Sequence, residues 1–305
     1  MDFKKKKKEF SRFLAFIGLV SCAKIINITP WRFLYPFAKG IAAFGYAVIA
    51  RQRKIALESL RMAFPDKTQA EIEKIARDSF TFMSKASLEL MFMMDKPWLL
   101  KERITIANKE KLDQALAKKR GVILVSGHFG NFPIMLGKLS LEGYAIGGIM
   151  RPMHDARVEK IFLEKREKYK VKTIYSYPKN VCVDNTIKAL RNNEIIFLPI
   201  DQNFGTSGVF VDFFGRKAAT ATGPVIFAQR TRAVLLPCFI LRQADDTHKI
   251  IFDEEVPLIE GKNSQDTIIL NVQRLTDIIE RYIRMYPQEW GWIHRRWKSQ
   301  PPVGK

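Results

Sequence analysis

Residues 121–132 read Gly-Val-Ile-Leu-Val-Ser-Gly-His-Phe-Gly-Asn-Phe, an apolar run that ends on a histidine placed between glycines. Such a run, followed by Gly, Asn and Pro, predicts a buried strand that leads into a helix. His128 is then expected at the carboxyl edge of the sheet, where open α/β sheets bind their ligands. Imidazole titrates near neutral pH without help, so His128 is a candidate functional residue. The alternative is a histidine satisfied inside the core.

The segments around this strand alternate between strand and helix patterns. Further strands are predicted at 144–150, 171–175, 194–200, 234–241 and 248–252. Helices are predicted within 55–94, interrupted at 64–66, and at 108–118, 132–142, 154–170, 183–191, 222–230 and 266–285, and a glycine-rich loop at 205–215. This alternation predicts an α/β fold with a mainly parallel central sheet flanked by helices, preceded by amino-terminal membrane-associated helices.

Composition restricts the partners of the chain. Its 305 residues are 47% hydrophobic, enough for one α/β core, and carry a formal net charge of +20. Phosphate is the expected counter-charge, on lipid or on nucleic acid. The basic residues cluster beside apolar segments at the amino end and no nucleic-acid-binding motif occurs, so a lipid surface is predicted and nucleic acid is not. Cys22, Cys182 and Cys238 lack metal-ligand or redox spacing and are interpreted as buried thiols in a reducing compartment.

The amino end has the character of a membrane segment. A lysine block, 4–8, precedes an apolar run that Lys24 interrupts before a spanning length of about 20 residues is reached. One alternative is a short, tilted transmembrane helix over 13–28. The other, which we favour, is a pair of amphipathic helices at 10–27 and 31–50 lying in the membrane interface; a hairpin packed on the core of the protein is the third. The expected division is residues 1–50 and 51–305.

Three predicted strands end on polar residues. His128 follows the first, Arg151 the second, and Asp201 with Gln202 the third. In a parallel sheet these ends meet at one edge, so a base, a cation and a carboxylate are expected around one crevice. Individually each is a weak signal, because such an Arg is usually a surface charge and such an Asp often caps a turn.

An ordered set of motifs extends almost from end to end. It comprises Arg53-Lys54-Ile55-Ala56-Leu57, Ala63-Phe64-Pro65, 126–132, Met150-Arg151-Pro152, Asp201-Gln202-Asn203, 208–211, Phe213-Phe214-Gly215, Thr220, Thr222-Gly223, 287–290 and 294–298. In these motifs the chain resembles the lysophospholipid acyltransferase superfamily. Within it, the chain is most similar to the late (secondary) lipid A acyltransferases, the lauroyl and myristoyl transferases of Gram-negative inner membranes.

The resemblance implies an acyltransferase of the lipid A and lipopolysaccharide type, at the cytoplasmic face of the bacterial inner membrane and against its anionic surface. It would move a fatty acyl chain from a thioester, on acyl carrier protein or coenzyme A, to a hydroxyl of a lipid A precursor or related glycolipid. No cofactor and no metal are expected. His128 would be the general base, with Asp201 the second catalytic residue. The expected substrate-binding residues are Gly130, Asn131, Arg151, Gln202, Gly215, Arg295 and Arg296, with Arg151 suited to a phosphate or oxyanion and the amides at 130–131 to the oxyanion.

One position departs from the family pattern. The family places an acidic residue five positions after the histidine, and Pro133 stands there. Proline is tolerated in the first turn of a helix, so the fold is expected to survive. A carboxylate normally fixes the tautomer of such a histidine, and either Asp201 or a backbone carbonyl could replace it. A second hypothesis is therefore a catalytically impaired relative that binds lipid or an acyl carrier.

The other histidines are weaker candidates. His294 is a rival base, but its position beside Arg295 and Arg296 favours an interfacial or phosphate-contacting surface. His154 precedes Asp155 at the start of a charged helix, where an Asp usually serves the helix dipole. His248 is predicted in an exposed turn.

Overall fold

The computed structural model describes the backbone of residues 2–301, and the side chains of residues 9–14 and 16–301. The helices are α1 Asp2–Ile28, α2 Trp31–Val48, α3 Ala50–Ala63, α4 Gln69–Met93, α5 Pro97–Arg103, α6 Lys109–Ala117, α7 Phe132–Leu141, α8 Ala156–Lys168, α9 Lys179–Arg191, α10 Gly223–Thr231 and α11 Ser264–Met285. The strands are β1 Ile104–Ala107, β2 Val122–Ser126, β3 Ile146–Met150, β4 Lys172–Tyr175, β5 Ile195–Pro199, β6 Val209–Phe213, β7 Arg216–Thr220, β8 Val234–Arg242 and β9 His248–Phe252.

Seven strands form the central sheet in the order β1-β9-β8-β2-β5-β3-β4. Every neighbouring pair is parallel except β8 with β9. The predicted α/β fold with a mainly parallel sheet and flanking helices is confirmed. Strands β2, β5 and β3 lie side by side, so their carboxyl ends share one edge of the sheet.

Strand β2 lies in the middle of the sheet and is buried along its whole length. Alternate residues face opposite sides of a strand. Ile123 and Val125 pack into a cluster that includes Ile279 of α11, whereas Leu124 packs into a second cluster with Ile134 of α7. A strand covered on both faces has no polar side, which explains its uninterrupted apolar sequence.

The predicted loop at 205–215 is wrong. A short 3-10 turn is followed by β6, which pairs with β7 as an antiparallel hairpin beside the main sheet. Val209, Val211 and Phe213 are buried, and Asp212 between them is exposed. This period-two alternation is a strand signal, which the flanking glycines obscured. Helix α5 and the edge strand β1 were also not predicted.

Helix α4 begins with a capping box. The Thr68 hydroxyl accepts a hydrogen bond from the Glu71 amide at 3.3 Å, and the Glu71 carboxylate accepts one from the Thr68 amide at 2.8 Å. These two bonds satisfy amides that the first turn of a helix leaves without partners. The break at 64–66 therefore separates two helices, as predicted.

The two amino-terminal helices are present as predicted, and α2 packs on α4. Leu34, Ala38 and Ala42 are buried in this contact. The opposite face of α2 exposes large apolar residues, namely Phe33, Phe37, Ile41, Phe44 and Val48. In α1, Glu9–Ile28 is long and apolar enough to cross a membrane, and 6% of that stretch is buried. The lysine block at 4–8 lies outside the described side chains, and the division at residue 50 stays a prediction.

Candidate active site at the carboxyl edge of the sheet

The central pair of the site is His128 with Asp201, which follow the neighbouring parallel strands β2 and β5. The Asp201 Oδ1 atom lies 2.7 Å from the Nδ1 atom of His128, and the His128 backbone amide donates to Asp201 Oδ2 at 2.7 Å. The carboxylate that the sequence lacks at Pro133 is therefore supplied from the adjacent strand. This is the first of the two arrangements that the sequence left open.

The contact with Asp201 determines which ring nitrogen of His128 is free. A carboxylate can only accept, so Nδ1 must carry the hydrogen and Nε2 is the unprotonated nitrogen of the neutral ring. Among the described residues, Nε2 has no hydrogen-bond partner, and 34% of the side chain is exposed. The ring meets Phe132 edge to face at 5.6 Å between centroids, so the open side of the imidazole has an apolar border. The alternative of a histidine enclosed in the core does not hold.

Asp201 is buried and fully engaged. Its Oδ2 atom accepts a second hydrogen bond, from the indole Nε1 of Trp290 at 2.6 Å. Burial alone would raise the pKa of Asp201, but the opposing charge and hydrogen bond of His128 and the Trp290 indole bring that pKa down to about 2. Conversely, burial lowers the pKa of His128 and the Asp201 carboxylate raises it, with a net increase above 6.5. Asp201 is thus ionised at neutral pH.

Glycines allow the close approach of the loop after β2. A Cβ atom on Gly127 would lie 3.1 Å from Asp201 Oδ2, and one on Gly130 would lie 2.0 Å from the Ile240 carbonyl oxygen. Gly130 also has a φ of 60°, a conformation that costs other residues energy. The glycines therefore bring the histidine loop against β5 and β8.

Arg151 follows β3, two strands from His128, with its side chain exposed. Adjacent strands are about 4.8 Å apart, so the ends of β2 and β3 are separated by roughly 10 Å. Gln202 follows Asp201, with its side chain exposed and its carbonyl accepting from Arg296 at 3.1 Å. The three predicted strand ends do share one edge, but of these residues only Asp201 contacts His128 in the described part of the chain.

The structure uses Gly130 and Asn131 differently from the prediction. The Gly130 amide donates to the Glu289 carbonyl at 2.9 Å and is not free for an oxyanion. The Asn131 side chain is buried and donates to the Ala86 carbonyl at 3.1 Å and to Glu89 Oε2 at 3.0 Å. The Gly130 amide and the Asn131 side chain thus hold the histidine loop and the start of α7 in place, whereas the Asn131 backbone amide stays a predicted oxyanion contact.

The two tail arginines also separate. Arg295 is exposed at the surface, where it can reach an anionic partner. Arg296 is completely buried; it donates to the carbonyls of Gln202 and Ala219 and lies over the Phe213 ring at 5.1 Å. Its guanidinium binds the hairpin β6–β7 and is shielded from solvent. Arg296 therefore cannot bind the phosphate that the sequence predicted for it. Gly215 lies in the exposed turn of that hairpin with a φ of 69°.

The remaining histidines have three different settings. His294 is half-buried and its Nδ1 atom has no partner among the described residues; burial, in the first place, lowers its pKa. His154 is exposed, and Asp155 beside it caps α8 by accepting from the Arg157 amide at 3.0 Å, as its position predicted. The prediction for His248 was wrong, because it is 1% exposed and its Nε2 lies 3.1 Å from Glu89 Oε2.

A second group of polar residues was missed entirely. Glu89 in α4 is fully buried and accepts hydrogen bonds from both terminal nitrogens of Arg242, at 2.6 and 2.7 Å. Its carboxylate is also within hydrogen-bond distance of Tyr35, Asn131 and His248. The signal in the sequence was one acidic residue in the apolar run 88–94. Trp290, which contacts Asp201, appeared in the sequence only as part of a motif. Among the described residues, no cluster of three His, Cys, Asp or Glu could hold a metal ion.

Known proteins resemble this chain along almost its full length. The family model for bacterial lipid A biosynthesis acyltransferases matches residues 1–299. The Escherichia coli lipid A biosynthesis lauroyltransferase is 24% identical over 94% of this chain and 92% of its own length. The palmitoleoyltransferase of the same organism is 24% identical over 89% and 87%, and the myristoyltransferase is 20% identical over 94% and 88%.

Proposed function

The chain belongs to the bacterial lipid A biosynthesis acyltransferase family, and from that premise we propose that it transfers a fatty acyl chain from a thioester to a hydroxyl of a lipid A precursor, with His128 as the general base. One observation carries the assignment of the base. Asp201 holds Nδ1 of His128 at 2.7 Å while Nε2 stays free on the open side of the ring.

The proposed reaction needs only a base and a good leaving group. Nε2 removes the proton from the acceptor hydroxyl as its oxygen attacks the thioester carbonyl carbon. The tetrahedral intermediate collapses, the C–S bond breaks, and the thiolate takes the proton from the imidazolium. An ester and a free thiol result. Asp201 stabilises the imidazolium that exists between the two proton transfers, as the carboxylate of a catalytic triad does.

Charge suggests how the substrates are held. Arg151 lies on the same sheet edge as the base but roughly two strand spacings away, which suits a phosphate of the glycolipid acceptor better than the oxyanion at the reacting carbon. Arg295 is exposed on the tail beside the site and can meet a second anionic group. Acyl carrier protein and coenzyme A both bear phosphate, so either donor fits this surface. Gln202 and Gly215 remain predicted substrate contacts.

The amino-terminal helices support a membrane location. The outer face of α2 exposes apolar side chains, and Glu9–Ile28 in α1 is long enough to cross a bilayer. A net charge of +20 adds attraction to anionic lipid, on the order of 1 kcal/mol for each Lys or Arg near the surface. The cytoplasmic face of the inner membrane is the proposed site, because acyl thioesters are made in the cytoplasm.

The alternative of a catalytically impaired relative rested on Pro133 alone. A buried, ionised Asp201 in contact with His128 performs the task that the missing acid would have had. Transfer activity is therefore the expected result for the purified protein in anionic lipid vesicles, given a labelled acyl donor and a lipid A precursor.

Replacing Asp201 by asparagine is the direct test of this function. The amide keeps the shape of the side chain but removes the charge that orients Nδ1 and stabilises the imidazolium. We expect kcat to fall at least about 10²-fold, with the KM of each substrate within about twofold. Steady-state transfer from acyl carrier protein and, separately, from acyl-coenzyme A measures both the effect and the choice of donor. Wild-type protein that binds the precursor but transfers nothing from either donor would support the impaired relative instead.

Pro133→Glu tests whether a carboxylate at the position of the family acid would increase the rate of transfer. Asp201 already accepts the Nδ1 hydrogen of His128, and Nε2 of the neutral ring carries none, so an added carboxylate at the start of α7 finds no ring N–H to accept. We expect kcat to stay within about threefold of the wild type in the same assay. A tenfold rise would mean that the Asp201 contact does not serve the base. Pro133→Ala is the control for loss of the proline itself.

A further inference from the structure

Trp290, near the carboxyl end of the chain, contacts the catalytic pair directly through its side chain. Its indole Nε1 donates to Asp201 Oδ2 at 2.6 Å, and both side chains are buried. Asp201 then has three donors: this indole, the His128 amide at the same oxygen, and Nδ1 of His128 at the other oxygen. Two donors on Oδ2 fix the rotation of the carboxylate and direct Oδ1 to the imidazole.

The backbone beside Trp290 is anchored to the histidine loop. The Gly130 amide donates to the Glu289 carbonyl at 2.9 Å, and Phe129 forms an antiparallel bridge with Trp290. From the other side, the buried Ser79 hydroxyl donates to the Trp290 carbonyl at 3.0 Å. The tail therefore contacts both partners of the pair, Asp201 through the indole and the His128 loop through the backbone.

The surrounding aromatic residues hold the indole ring itself. Trp292 meets it edge to face at 4.6 Å between centroids, and Phe213 of β6 lies at 5.7 Å. Rings packed in this way have little rotational freedom. A hydrogen bond that an ionised carboxylate accepts is roughly twice as strong as one between neutral groups, and the low dielectric of the interior strengthens it further.

We infer that Trp290 is a positioning residue for catalysis, which holds the Asp201 carboxylate in the orientation that keeps Nε2 of His128 unprotonated and facing the substrate. The inference rests on the proposed function, because it concerns the same pair. It assigns a chemical task to Trp290, which the sequence indicated only as part of a motif.

A matched control exists two residues away. Trp292 is also buried, and its Nε1 also donates one hydrogen bond of 2.6 Å, but to the Pro287 carbonyl. Trp290→Phe and Trp292→Phe each remove one indole N–H and a similar volume from the same aromatic cluster. Only the first removes a donor from Asp201, so a difference between the two variants reports on the carboxylate and not on packing.

The pH profile separates positioning from a general loss of stability. A hydrogen-bond donor lowers the proton affinity of the carboxylate that it contacts. Without the indole donor, Asp201 is more basic and stabilises the protonated form of His128 more strongly. Other groups that influence this pair are His294 and Arg296, both in the tail and unchanged in either variant. The acid limb of kcat/KM should therefore move upward for Trp290→Phe alone.

The experiment measures kcat, KM and the acid limb for both variants in the transfer assay. For Trp290→Phe we expect kcat to fall about tenfold, KM to stay within about twofold, and the acid limb to rise by about half a pH unit. For Trp292→Phe the acid limb should stay at the wild-type pH. Equal shifts in both variants, or a wild-type kcat and limb in Trp290→Phe, would overturn the inference.

A second measurement avoids replacing the tryptophan. With ¹⁵N-labelled tryptophan, the Nε1–H signal of Trp290 should follow the titration of His128, and it should move in Asp201→Asn while the Trp292 signal stays. A Trp290 signal insensitive to both changes would also overturn the inference. Failure of the proposed function has another signature, because Asp201→Asn would then keep wild-type kcat while the Trp290 signal still moved.

Discussion

His128→Ala is expected to lower kcat by about 10⁴-fold, the upper end of what a general base supplies. The variant removes both the group that accepts the hydroxyl proton and the group that returns it to the leaving thiolate. None of the other described imidazoles takes its place: His294 lies near enough to be influenced by the charge of Asp201, but in the described chain it has no hydrogen bond to that carboxylate. The residual rate should be that of the bound substrates held together, and KM should change little because His128 takes part in the transition state more than in binding.

Single-turnover transfer of a labelled acyl chain gives the cleanest value, because it separates chemistry from product release. His154→Ala is the matched control, since His154 is exposed before α8 and has no hydrogen bond to the pair in the described chain; its kcat should equal that of the wild type. Residual activity within tenfold of the wild type in His128→Ala would rule out His128 as the base.

The wild-type pH profile follows from the same contact. Asp201 raises the pKa of His128 above its ordinary value of 6.5. Only the neutral imidazole can accept a proton, so kcat/KM should fall as the pH drops through this raised pKa. In His128→Ala the acid limb should be absent from whatever rate remains.

The site could be predicted from sequence as far as sheet topology determines it. Polar residues after three parallel strands had to lie at one edge, and Asp201 beside His128 follows from β5 pairing with β2. The roles of Asn131 and Arg296 could not be predicted, because their partners come from distant segments: Glu89 in α4 for the first, and Ala219 in β7 for the second. Arg295 and Arg296 are neighbours in the sequence, so the local sequence cannot show which of them is exposed and which is buried against the hairpin.

The missed hairpin has a similar cause. Val209, Val211 and Phe213 alternate with more exposed residues, but the strand is only five residues long and lies among glycines. Its burial depends on α11 and the tryptophan tail, whose side chains cover it; Trp297, for example, donates to the Phe213 carbonyl at 3.2 Å. Local sequence gives weak evidence where tertiary packing supplies the stability.

Glu89→Ala should destabilise the protein by about 3–5 kcal/mol, the usual cost of removing one partner of a buried ion pair. Glu89 is fully buried, and its carboxylate is within hydrogen-bond distance of four side chains, those of Arg242, His248, Asn131 and Tyr35. These contacts join α2, α4, β8, β9 and the histidine loop. Without the carboxylate, the Arg242 guanidinium, 10% exposed, retains Asp246 at 3.1 Å but loses its two shorter bonds.

The loss should appear as a fall in the unfolding temperature on the order of 10 °C, measured in detergent by the change in tryptophan fluorescence. The partners of Glu89 lower its pKa despite burial, which alone would raise it. Its contribution is therefore complete above the unfolded value near 4.5 and is lost as the pH falls through the folded pKa, so neutral pH shows the full difference. Asp78→Ala is the control, because Asp78 lies on the same helix and pairs only with the exposed Lys74 in the described chain. If the two variants unfolded at the same temperature, the carboxylate of Glu89 would not be what joins the amino-terminal helices to the sheet.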